Sequence, residues 1–153
     1  MKWNSDFWNT TWNRPYGRYN KHHAEIWKAV EPFIKGKVVD LGCGPCVLYQ
    51  GKDVDLTGVD FSASALDQAR KNYPKGTYIL ADARETGLPD KEFDTCIMSG
   101  LLDYFEDWEV ALKEARRITK KTIIGTLFHS FEGHDWSSYP RLTGLWHLYR
   151  EDL

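Results

Sequence analysis

Two short runs carry most of the chemical promise in this chain: Val38-Val39-Asp40-Leu41-Gly42-Cys43-Gly44 and Gly58-Val59-Asp60. In each, an apolar stretch suited to a buried strand ends on residues that could meet a ligand. The first ends in a glycine turn, the second in a carboxylate twenty positions after Asp40. Glycines let backbone come close to a bound molecule, and an acid so placed can accept hydrogen bonds from both hydroxyls of a ribose. The chemistry in view is recognition of a nucleoside, and the question is which one.

The turn admits three readings. A dinucleotide site wants G-x-G-x-x-G, whose third glycine lets helix and strand pack closely. Gly42 and Gly44 fit, but Val47 stands in the third place. Cys43-Gly44-Pro45-Cys46 also spells the C-x-x-C of thioredoxin-like redox proteins. Against that, Gly42 replaces the tryptophan usual before the motif, and no later Thr-Pro or Ile-Pro pair supplies the usual cis-proline. The third reading draws in the most residues.

The run from Val38 to Gly44 resembles motif I of the class I S-adenosylmethionine-dependent methyltransferases. Gly58-Val59-Asp60-Phe61-Ser62 resembles the second motif of that family and Leu80-Ala81-Asp82-Ala83 the third. Phe93-Asp94-Thr95-Cys96-Ile97-Met98-Ser99 resembles the fourth, and the four occur in the family's order and spacing. The resemblance covers roughly residues 12–153. It departs from the family at the third glycine of motif I, which is Cys46 here, and in the shortness of the stretch before Gly51-Lys52-Asp53.

The resemblance implies a role for each residue. Gly42, Cys43 and Gly44 pass backbone beside the methionine and ribose of S-adenosylmethionine, which has no phosphates and so needs no basic cradle. Asp40 ties down the turn or accepts from the ligand's ammonium. Asp60 holds the ribose hydroxyls and Phe61 lies against the adenine. Asp82 accepts from the adenine amine, the Ala83 amide reaches a ring nitrogen, and Ser99 and Gly100 flank the sulfonium. Tyr104 and His129 are the candidates for contact with the methyl acceptor, His129 as a base if the acceptor arrives protonated. The product left behind is S-adenosylhomocysteine.

These side chains need a scaffold, and the hydrophobic pattern supplies one. Ile26, Trp27, Val30, Phe33 and Ile34 fall at helical spacing, which predicts a helix over 19–34. Strands are expected over 37–41, 56–60, 77–81, 93–99 and 121–128. Ser62 is placed to cap a helix carrying Leu66, Ala69 and Tyr73, and Asp107 one carrying Ala111, Leu112, Ala115 and Ile118. Strands alternating with helices call for an α/β, doubly wound, mostly parallel sheet of strand order 3-2-1-4-5. The loops after Leu41, Asp60, Ala81 and Ser99 would then open on one edge, at the point where strand order reverses. Topology and motif place the site in the same spot.

Both ends are unusual. Trp3, Phe7, Trp8, Trp12, Tyr16 and Tyr19 crowd the first twenty residues. They predict an arm or lid over the site, with Trp12, Tyr16 and Tyr19 as pocket members. At the other end the family's closing helix and antiparallel strand pair are expected to be reduced or missing. Leu142, Gly144, Trp146 and Leu148 alternate with Thr143, Leu145, His147 and Tyr149, which suits one further strand. An open sheet edge is a liability, so this tail or a second copy of the chain is expected to cover it.

Composition bounds the rest. The 153 residues, 42% hydrophobic and 27% charged, read as one domain with an arm over residues 1–20. A net charge of −2 offers no general attraction to nucleic acid or acidic lipid. No apolar run has the length of a membrane span or the shape of a leader. Three cysteines argue against a disulfide framework and for the cytoplasm, and the histidine spacings repeat no metal-ligand motif. The expected activity is methyl transfer to a small-molecule acceptor, with a cofactor-binding, non-catalytic or partner-dependent subunit as the alternative.

Overall fold

Five apolar runs form the parallel strands that the alternation predicts: β1 (Lys37–Leu41), β2 (Asp55–Asp60), β3 (Thr77–Leu80), β4 (Phe93–Ser99) and β5 (Thr119–Phe128). Between and before them stand α1 (Ser5–Thr11), α2 (Lys21–Val30), α3 (Ala63–Asn72) and α4 (Trp108–Ile118). Two strands, β6 (Arg141–Thr143) and β7 (Trp146–Asp152), follow. This computed structural model describes residues 4–11, 19–128, 137–139, 141–143 and 146–153, with backbone alone for 128, 141–143 and 146. Among the described residues the sheet runs β3-β2-β1-β4-β5-β7-β6. The chain therefore winds outward from β1 to β3 and returns to place β4 on β1's other side.

Each strand splits its side chains between two helical layers because successive residues point to opposite faces. Val39, Leu41, Cys96, Met98 and Ile123 pack with Ala111, Leu112, Ala115 and Ile118 of α4. Val38, Ile97 and Ile124 pack with Ile26, Trp27 and Val30 of α2 and Ala69 of α3. Strands buried on both faces read as unbroken apolar runs, which is why β1 and β4 are so legible in the sequence.

Local chemistry sets the helix ends. Asn20 accepts from the backbone of His22 and His23 at 2.9 and 3.2 Å, opening α2. Ser62 accepts from the Ala65 amide at 3.2 Å, opening α3 as expected. The expected helix over 19–34 is shorter, since Pro32 shifts its last turn into the tight helix Glu31–Phe33. Asp107 stands at the start of α4 but makes no capping bond. Its carboxylate is drawn instead to Arg84, at 3.2 Å.

The tail differs from the single strand expected over 142–149. It forms two strands, with β7 antiparallel to β5 from Thr122↔Asp152 to Phe128↔Trp146. The short β6 pairs with β7 across a register shift between Arg141 and Thr143. The strand pair is thus reduced, not missing. Alternation continued through the connection between the strands, so the pattern alone could not reveal the reversal. The tail itself covers the edge of β5.

Candidate functional site

A cleft of about 270 Å³ opens where β1, β2 and β4 end. Its wall contains Asp40, Gly42, Cys43, Gly44, Asp60, Phe61, Asp82, Ala83, Ser99, Gly100 and Tyr104. These residues come from four separate loops and share one wall because the strand order brings those loops together. Tyr19 stands apart from the wall. Its ring stacks on His23 at 5.7 Å, and its amide donates to the Gln50 side chain at 3.3 Å. Trp12, Tyr16 and His129 lie outside the described residues.

The glycine turn begins on backbone bonds to β2. The amides of Gly42 and Cys43 both donate to the Val59 carbonyl, at 2.8 and 3.0 Å. Gly42 sits at φ 71°, in the left-handed region, and a Cβ there would stand 2.5 Å from Leu101 Cδ1. Gly42→Ala is expected to cost about 1–3 kcal/mol, from the strained φ and the displaced leucine. A urea midpoint equal to the parent's would contradict that.

Asp60 joins this turn to the next loop. One carboxylate oxygen accepts from the Gly44 amide and the other from the Ser62 amide, each at 2.9 Å. Each oxygen keeps capacity for a second donor, so a pair of ligand hydroxyls can be held without breaking either bond. Burial raises its pKa, and the amides of Ser62, Gly44 and Phe61 oppose that rise.

Asp40 is the more exposed to electrostatic stress although it is only 3% exposed to solvent. Tyr49 donates to its Oδ2 at 2.6 Å. Its Oδ1 is buried with no hydrogen-bond partner among the described residues. Burial pushes its pKa up to about 7, the Tyr49 hydrogen bond works against this, and the nearby Asp60 adds to it. A buried orphan acceptor in a cleft wall calls for a donor from a ligand, since leaving such a group unmatched costs about 1–3 kcal/mol.

Asp82 is held by a residue the sequence reading passed over. Arg84 donates from its amide to Asp82 Oδ1 at 2.8 Å and from Nη2 to Oδ2 at 2.7 Å. The same guanidinium reaches Asp107 at 3.2 Å and lies over the Phe105 ring at 4.9 Å. The Arg84 hydrogen bonds keep the Asp82 carboxyl below its ordinary range. One arginine thus fixes the loops after β3 and before α4 to each other. Ser99 is fixed similarly, its hydroxyl 2.8 Å from that of Thr126, while the Gly100 amide donates to the Thr126 carbonyl at 2.9 Å.

Part of the outer wall comes from the aromatic amino-terminal stretch, through Trp8. Trp8 meets Tyr104 edge-to-face, with centroids 4.9 Å apart. Next to it, the Asn9 side chain accepts from the Ser62 hydroxyl at 2.9 Å and the Ser64 amide at 3.3 Å. His22, His23 and Ile26 of α2 complete the wall. Trp8-Asn9 is one of three Trp-Asn pairs in the sequence, which start at Trp3, Trp8 and Trp12. Removing the ring contact forfeits about 0.5–1.5 kcal/mol. Trp8→Ala is therefore expected to speed ligand release about three- to tenfold in stopped-flow measurements; an unchanged release rate would show that α1 does not hold the ligand.

Among the described residues, no group of three His, Cys, Asp or Glu side chains could hold a metal ion. Nor is any helix there long and apolar enough to cross a membrane. The cleft offers backbone amides and carbonyls, the three carboxylates Asp40, Asp60 and Asp82 as acceptors, and aromatic rings.

Comparison with known proteins gives the family. The family model described as "Methyltransferase domain" matches residues 39–124. The malonyl-[acyl-carrier protein] O-methyltransferase of Serratia marcescens is 29% identical over 87 residues, 55% of this chain and 34% of that protein. The demethylmenaquinone methyltransferase of Thermotoga maritima is 28% identical over 109 residues, 68% of this chain and 46% of that one. The chain thus spans about a third to a half of the length of these curated relatives. For the fold, the magnesium protoporphyrin IX methyltransferase of Synechocystis PCC 6803, solved with bound S-adenosylmethionine, superposes at a TM-score of 0.71. It is 16% identical, and the match covers 97% of this chain and 94% of that one.

Proposed function

Because the chain belongs to the methyltransferase-domain family of class I S-adenosylmethionine-dependent enzymes, we propose that it transfers a methyl group from that donor to a small molecule. The observation that carries the reading is the unpartnered Asp40 Oδ1 in the same cleft wall as Asp60 and the glycine turn. The residues present fit the cofactor. Asp40 would accept from its ammonium, Asp60 from its ribose hydroxyls and Asp82 from its adenine amine. Phe61 would lie against the base, and the Ala83 amide would reach a ring nitrogen.

Bound there, S-adenosylmethionine supplies a methyl group already activated on a sulfonium sulfur. The protein's task is then mainly placement, which can account for about 7–11 kcal/mol of a barrier when reactants are well aligned. The backbone at Ser99 and Gly100 would favour the positive sulfur. Tyr104, locked by Trp8, would orient the acceptor, and α1 would keep water out. His129 is retained as the base for an acceptor that arrives protonated. A small acceptor fits because the described part of the cleft has no basic groove or stacking platform for a polymer. Residues 1–153 act as one cofactor-binding unit in this reading, and the three free thiols suit the cytoplasm.

The test is titration calorimetry with S-adenosylhomocysteine, followed by incubation with methyl-labelled cofactor and a panel of small phenols, amines and carboxylic acids. Micromolar binding with label transfer to one class is the expected result. No affinity for the nucleoside would overturn the reading.

A further inference from the structure

The two thiols of the C-x-x-C run do nothing in the mechanism above, yet their residues form part of the cleft wall. The Cys46 amide donates to the Cys43 carbonyl at 3.2 Å, closing a four-residue turn with Gly44 at φ 53°. A turn of this kind keeps its outer Cα atoms within about 7 Å, and a disulfide needs them about 4.4–6.8 Å apart. Both thiols are free, and the Cys43 thiol donates to the Gly44 carbonyl at 3.5 Å. Both residues belong to the cleft wall, Cys46 with only 2% of its surface exposed.

Cys46 also carries strain. It sits at φ 56°, ψ 31°, in the left-handed region, at the position where the family motif has a glycine. A side chain there costs about 1–2 kcal/mol relative to glycine, and such outliers point to function when they stand at a site. The third cysteine does not compete. Cys96 is buried with the α4 layer, whereas Cys43 and Cys46 pack with the α2 and α3 layer across the sheet.

We infer that Cys43 and Cys46 form a reversible dithiol–disulfide site in the cleft wall, and that its oxidation weakens cofactor binding. The second half of this statement rests on the cofactor reading above. With hydrogen peroxide as oxidant, the Cys43 sulfur attacks one peroxide oxygen and the O–O bond breaks. A sulfenic acid forms and the first water leaves. The Cys46 sulfur then displaces the hydroxyl, which departs as the second water with the remaining thiol proton. Two thiols and one peroxide give one disulfide and two waters, two electrons passing from sulfur to oxygen. A dithiol reductant returns the two electrons and two protons by exchange.

Burial first, then Cys46 and the Asp40 and Asp60 carboxylates, hold the Cys43 thiol well above its ordinary range. Oxidation is therefore slow near neutral pH and quickens in alkali. Disulfide closure draws the sulfurs to about 2.05 Å. That contraction falls on the turn whose Gly44 amide supports Asp60, at 2.9 Å. The acid proposed to hold the ribose loses its alignment as a result.

The experiment treats the full chain with hydrogen peroxide at mildly alkaline pH, quenches with an alkylating agent and reads intact and peptide masses. A loss of about 2 Da, mapped to Cys43–Cys46 and reversed by dithiothreitol, is expected. Saturating S-adenosylhomocysteine should slow that loss about tenfold or more, and the disulfide form should bind it at least about tenfold more weakly. In Cys46→Gly and in Cys46→Ala, the ratio of affinities before and after peroxide should return to unity. Absence of the mass loss, or a bridge involving Cys96, would overturn the site. An oxidised protein of undiminished affinity would overturn the coupling. If the reduced protein binds no nucleoside, the cofactor reading fails, while the mass loss still decides whether the dithiol exists.

Discussion

Asp60→Ala should raise the dissociation constant for S-adenosylhomocysteine by about 100- to 1,000-fold. Hydrogen bonds to an ionised group contribute about 1.5–3 kcal/mol each. Losing two of them, with partial relief from water, leaves roughly 3–4 kcal/mol, which converts to that range. Asp60→Asn keeps the volume and one acceptor, and about a tenfold to thirtyfold loss is expected on the same grounds. Both substitutions also disturb the amides of Gly44 and Ser62, which the wild-type carboxylate holds at 2.9 Å. Calorimetry should therefore be paired with urea unfolding, so that lost affinity is read only where the fold survives. A folded Asp60→Ala protein with parental affinity would remove the nucleoside pocket from this structure.

Asp40→Asn should separate stability from binding. The ordinary carboxyl pKa is 3.8, and burial lifts Asp40 to about 7 in the folded chain. Between those values the folded state holds a proton that the unfolded state has released. Stability therefore falls as pH rises through that window, and the loss is complete above about pH 7. Asparagine carries no charge to bury, so at alkaline pH the variant should be about 2–4 kcal/mol more stable than its parent. The gap should close near pH 4, where both side chains are neutral.

Cofactor binding should move the other way. An ammonium beside Asp40 favours the ionised carboxylate, so parental affinity should climb as pH rises towards 7 and then level off. In Asp40→Asn that pH dependence should vanish and affinity should fall about tenfold or more. Calorimetry in two buffers of different ionisation enthalpy measures the proton released on binding near pH 6. Equal apparent enthalpies in the two buffers would mean that Asp40 does not answer the ligand.

What the chain declares in advance and what it conceals follow from how far apart the cooperating residues lie. β1, β4, the Ser62 cap and the Asp60 carboxylate each follow from a few adjacent residues, and the structure places them where those residues predict. Trp8, His22 and Arg84 are different. Each acts across a contact between elements distant in sequence: Trp8 on Tyr104, His22 in the shared wall, Arg84 on Asp107. No local pattern encodes such docking. Asp107 shows the same limit from the other side, since a good capping residue was claimed by an arginine twenty-three positions away. The tail shows it again, because alternation in Leu142, Gly144, Trp146 and Leu148 is compatible with one strand or two.

Among the described residues, both rims of the sheet are abrupt. β3 spans only Thr77–Leu80, and β6 only Arg141–Thr143 with a shift in its pairing. Short or irregular margins deny an incoming extended peptide a long ladder of free amides and carbonyls. Growth of fibrils by templated addition is therefore impeded at either rim, even though Leu80 leaves 61% of its surface in water. Concentrated preparations should resist seeding.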